Sequence, residues 1–111
     1  MSESFSTGAI VPGAAVTREV IQERVRQEAK WGEQNHPDGT GPTIPTLNAA
    51  ERARYECDYA HRNGNGTWRH ILYEEVAEAF AEIDPKRLRE ELIQVAAVAV
   101  AWVEAIDRRA S

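Results

Sequence analysis

The chain has 111 residues, 42% hydrophobic and 28% charged, which is enough for one small domain with a core and too ordered a mixture for a disordered polymer. Its net charge is −5 and its pI about 5.2, so the surface repels a phosphate backbone and argues against binding to a nucleic-acid polymer. A small anionic substrate stays open, provided that metal cations supply positive charge locally.

One cysteine, Cys57, cannot form an intramolecular disulfide, and Met1 to Gly13 contains neither Lys nor Arg nor a long apolar run. Signal peptide and anchor are both excluded on this reading, and the expectation is a soluble protein of a reducing cytoplasm. The longest apolar stretch, Val95 to Val103, falls short of the roughly 20 residues that span a bilayer.

Residues 1–16 mix Ser, Gly, Ala and Pro without periodicity and read as a flexible N-terminal arm; 17–111 read as a single all-α domain. Thr17 is the predicted cap of a first helix to about Trp31, with Val20, Ile21, Val25 and Ala29 as its apolar stripe and Gly32 as its stop. From Gly32 to Pro45, Gly, Pro, Asn, Asp and Thr predict a long loop, of a kind that is either functional or mobile. Thr46 is the predicted cap of a second helix, Leu47 to Arg62, ended by Asn63-Gly-Asn-Gly. Thr67 caps a third, Trp68 to Glu82.

Asp84-Pro85 then stops one helix and starts the next, with Asp as cap and Pro in the first turn. The fourth helix, Pro85 to Arg108, is apolar over much of its circumference and is expected to be buried on several sides. No alternation, repeat or heptad array is present, so the predicted fold is all-α, a four-helix bundle. A chain this short covers its apolar surface incompletely, which makes self-association an expectation from the start.

The chemistry is concentrated in the last two helices. Glu74, Glu75 and Glu78 stand three and four residues apart on the third, and Glu90, Glu91 and Gln94 lie on the fourth. Glu78 precedes the Asp84 turn by six residues and Glu91 follows it by seven. At about 1.5 Å rise per residue, both stand roughly 9–10 Å from the turn on antiparallel neighbours. Leu72, Val76 and Phe80 with Leu88, Leu92 and Val95 set an expected core beside these acidic rows. Converging carboxylates raise one another's pKa or take up a cation. Oxygen ligands without histidine or cysteine suit magnesium, with manganese as a substitute, rather than zinc.

Glu75-x-x-Glu78, twelve intervening residues, then Glu91-x-x-Gln94 resembles the Glu-x-x-Glu…Glu-x-x-Asp signature of the MazG-like all-α nucleoside triphosphate pyrophosphohydrolases. Lys30-Trp31-Gly32-Glu33-Gln34 and the stretch from Trp68 to Arg109 are similar to the same group, so that the resemblance spans about residues 18–109. It implies magnesium-dependent cleavage of a nucleoside triphosphate between its α and β phosphates. It also implies a homodimer or homotetramer in which helices of different subunits complete the bundle. Carried over by position, Glu75, Glu78 and Glu91 are metal ligands, and Glu74 ligates metal or orients the attacking water. Gln94 departs from the signature's Asp: its amide still offers an oxygen to a metal but carries no charge.

Further candidates surround the nucleotide. Lys30 is a candidate phosphate contact, Trp31 a stacking platform or a helix-end anchor, and Trp68 a pocket wall or a packing residue. His36 on the long loop is a contact to phosphate or ribose, or a solvated histidine. Trp102 is read as core. Cys57 and His61 stand four apart on a helix, but no second pair accompanies them for zinc.

Overall fold

A computed structural model describes residues 13–110. They are all-helical: α1 Ala14–Trp31, α2 Ile44–Arg62, α3 Trp68–Phe80 and α4 Pro85–Ala110. Most of the arm predicted over residues 1–16 lies outside the described residues. None of the described helices is long and apolar enough to cross a membrane.

Two helix starts differ from expectation, for the same reason. α1 begins at Ala14, not after Thr17: Gly13 takes a left-handed φ of 79° as its cap, and the Thr17 N–H donates to the Gly13 carbonyl at 2.7 Å. Alanine is the strongest helix former, and Val16 is buried by the extra turn. α2 is capped by Thr43, not Thr46. Pro45 falls in the first turn, where a missing N–H costs nothing, and Thr46 becomes the third helical residue of a reciprocal capping box with Thr43. Thr67 caps α3 as predicted, with His70 closing its box through Nδ1. Asp84 caps α4, accepting from the Arg87 N–H at 3.0 Å.

The described residues divide into two compact units, residues 37–102 and residues 13–36 with 103–110. In the larger one, α2 and α3 pack closely. Their seam is made of small side chains: Ala50, Ala53, Cys57 and Ala60 recur at helical spacing along α2, and Ala77 meets them from α3. Ala50, Ala53 and Ala77 form the buried cluster, with Ala81 against it. Small residues let two helix backbones approach, which sets the register of everything that flanks them. Gly66 serves the turn between these helices, because a Cβ there would run into the His61 ring.

The loop before α2 is pinned at its far end. Gly41 N–H donates to the Phe80 carbonyl at 3.0 Å and the Thr40 hydroxyl to the Glu82 carbonyl at 2.6 Å, satisfying acceptors left over where α3 ends. At the other end of the hairpin, Trp68 stacks on Trp102 with ring centroids 6.5 Å apart. Both are half-buried.

In the smaller unit, Gly13 N–H donates to the Glu104 carboxylate at 2.6 Å, and Arg24–Glu28 and Arg26–Glu23 pair along α1. The stripe Val20, Ile21 and Val25 is exposed rather than core. α4 also departs from its expected burial: Leu88 is buried, while Leu92, Ile93, Val103 and Ile106 are exposed. Phe80 is exposed as well, so the core beside the acidic rows is smaller than predicted and rests on alanines instead.

Candidate metal centre

The alanine seam decides which way each glutamate of α3 points. Ala77 faces α2, and Glu74 stands three residues before it on the same face, so Glu74 is turned toward α2. There its negative charge, after burial, helps to raise the Cys57 thiol. Glu78, one turn after Glu74, meets Arg54 of α2 on one side and, with Glu75, approaches Glu91 of α4 on the other. Oxygens of Glu75, Glu78 and Glu91 all lie within 4.8 Å of one another. One glutamate of α4 therefore answers two of α3.

The electrostatics of this arrangement are unfavourable without a cation. Burial, then the charges of Glu91 and Glu74, hold the Glu75 carboxyl above the usual carboxylate range. Glu78 is raised by burial and by Glu74, Glu75 and Glu91, and lowered by Arg54, whose Nη2 lies 3.6 Å from Glu78 Oε2. Oε1 of Glu75 and Oε1 of Glu91 are buried and have no hydrogen-bond partner. A buried oxygen without a donor is costly, and two of them beside a third carboxylate fit the donor set of a hard divalent cation. All three residues are half-buried.

No protein-family model, curated protein or solved structure matches the chain. Residue chemistry and geometry therefore carry the functional reading.

The remaining candidates distribute as follows. Gln94 is exposed on α4, three residues beyond Glu91. Lys30 places its ammonium 4.8 Å from the centre of the Trp31 ring, which is itself 62% exposed, and His36 Nε2 is 3.0 Å from the Gln34 side chain. These three belong to the smaller unit, whereas the acidic cluster belongs to the larger. Trp68 is engaged with Trp102. His61 Nδ1 lies 2.9 Å from the Cys57 carbonyl and 3.6 Å from its sulfur, an arrangement internal to one helical turn.

Two participants have no counterpart in the sequence reading. Arg54 enters through Glu78, and Cys57 enters through Glu74. Burial, then Glu74 and the other nearby carboxylates, push the thiol up to about 11. The Ala50-Ala53-Cys57-Ala60 spacing was the available signal, since it fixes the α2 face that meets α3 and hence the neighbours of that face.

Proposed function

We propose that this chain is a magnesium-dependent nucleoside triphosphate pyrophosphohydrolase of MazG-like type. It cleaves between the α and β phosphates and releases a nucleoside monophosphate and pyrophosphate. The observation that carries this reading is the convergence of Glu75, Glu78 and Glu91 from two helices, with two buried oxygens lacking donors. The resemblance of their spacing to the family signature supports it independently.

Glu75, Glu78 and Glu91 would hold the ion, and manganese would substitute. When bound, magnesium supplies charge opposite the phosphate oxygens and acidifies a water. Glu74, one turn before Glu78, would orient that water and accept its proton. Raised pKa values at Glu75 and Glu78 suit groups that are at rest only when a cation is present. The exposed apolar side chains of α1 and α4 support assembly into a homodimer or homotetramer, which light scattering on the purified chain tests directly.

A second reading draws on Gln94, which is exposed and uncharged where the signature carries Asp. On that reading the site binds metal and nucleotide with weak or no turnover. One experiment separates the two. A panel of ribo- and deoxynucleoside triphosphates is incubated with magnesium, and pyrophosphate and orthophosphate are measured separately. Pyrophosphate release that disappears in Glu75→Ala and Glu78→Ala establishes the enzyme; release unchanged in either variant refutes it. A nucleotide-dependent rise in Tm without product, with turnover gained in Gln94→Asp, establishes the binding module.

A further inference from the structure

The acidic cluster has a cation of its own, and its position points to a second role. Arg54 lies at the edge of the buried α2 stripe, one residue past Ala53 and three before Cys57. That offset carries its side chain out of the alanine seam and along the rim of the carboxylates. Its Nη2 is 3.6 Å from Glu78 Oε2, well beyond the roughly 2.7–2.9 Å of a charge-assisted hydrogen bond. The arginine is 53% exposed and the glutamate 24%, so the pair joins a solvated guanidinium to a largely covered carboxylate.

Such a pair contributes little to stability and is easily exchanged. Nor does it complete the site. The unpartnered oxygens of Glu75 and Glu91 are buried, and the planar guanidinium stands outside on Glu78. A compact ion held by the three carboxylates would neutralise Glu78 and remove the reason for Arg54 to stay on it. The freed guanidinium would then offer several N–H donors from the solvent side to an anion bound there.

We propose that Arg54 is the polyphosphate-reading cation of this site: it screens Glu78 in the metal-free protein and moves to a phosphate oxygen once metal is bound. The inference rests on the reading of Glu75, Glu78 and Glu91 as the metal ligands. The preferred ligand is then the metal–polyphosphate complex, since either component alone leaves one charge unanswered.

The test uses the full chain, manganese alone, and inorganic tripolyphosphate in saturating manganese, both followed by calorimetry with wild type, Arg54→Ala and Arg54→Lys. Arg54→Ala is expected to bind manganese as tightly as wild type or more tightly, because a competing cation is gone. Its tripolyphosphate affinity falls roughly tenfold or more, the usual loss for a charged hydrogen bond. Arg54→Lys, which keeps charge without the planar fork, recovers part of it. Tripolyphosphate affinity within about twofold of wild type in both variants overturns the proposal while leaving the metal site standing, since the same calorimetry has then shown manganese bound. Failure of the wild-type chain to bind manganese overturns the proposal and the metal reading together. Loss of manganese affinity in Arg54→Ala, with its helicity intact by circular dichroism, also overturns it, because the arginine is then a structural support of the cluster.

Discussion

Replacing Glu75 by Gln is expected to make the metal-free protein more stable while abolishing its response to magnesium. The oxygens of Glu75, Glu78 and Glu91 lie within 4.8 Å. Two full charges at that distance repel by about 3 kcal/mol at an effective dielectric of about 20, and by about 1 kcal/mol in bulk water. Proton uptake at the raised carboxyls relieves part of this, and an amide at position 75 gains a donor for the unpartnered oxygen of Glu91. The net gain above neutral pH is about 1–2 kcal/mol, a rise in Tm of at least about 4 °C for a chain this size. Excess magnesium should stabilise wild type by about 2.7 kcal/mol at about 100 times Kd and leave Glu75→Gln nearly unmoved. Thermal unfolding of both proteins in chelator and in magnesium reads the two effects. A Glu75→Gln protein less stable than wild type in chelator refutes the repulsion argument. Equal magnesium shifts in the two refute the metal site.

Other consequences follow from the same geometry. Glu75 and Glu78 have folded-state pKa values above their ordinary 4.5, so the native state holds protons more tightly than the unfolded chain. Their stabilising contribution is present below 4.5 and is lost as pH rises through the folded values, which predicts a falling difference between wild type and Glu75→Gln/Glu78→Gln in urea unfolding with chelator. A flat difference contradicts it. Cys57, raised to about 11 first by burial and then by Glu74, should react slowly with a disulfide reagent near neutrality and faster in Glu74→Gln; rapid reaction of wild type at neutral pH counts against the raised thiol. Ala53→Leu, at a position 2% exposed in the seam, should overpack α2 against α3 and cost about 1–3 kcal/mol in urea unfolding. An unchanged midpoint would show that the seam has room to spare.

The sequence by itself determined the helices and much of the acidic cluster. Punctuation at Gly32, Asn63-Gly-Asn-Gly and Asp84-Pro85 places the element boundaries within a few residues, because caps and breakers act locally on the backbone. The Asp84 turn also sets Glu78 and Glu91 at matching height, since rise per residue is fixed. Where the reading of starts erred, at Thr17 and Thr46, two caps competed and the longer helix won through a buried Val16 and a proline tolerated in the first turn. Only the tertiary structure decided which face of each helix is covered. The large apolar residues of α1 and α4 suggested a broad core, yet the close contact runs through alanines of α2 and α3. Periodicity reports that a face is apolar and not what lies against it. That contact turned Glu74 to Cys57 and brought Arg54 to Glu78, pairings between residues 17 and 24 positions apart that no local spacing encodes.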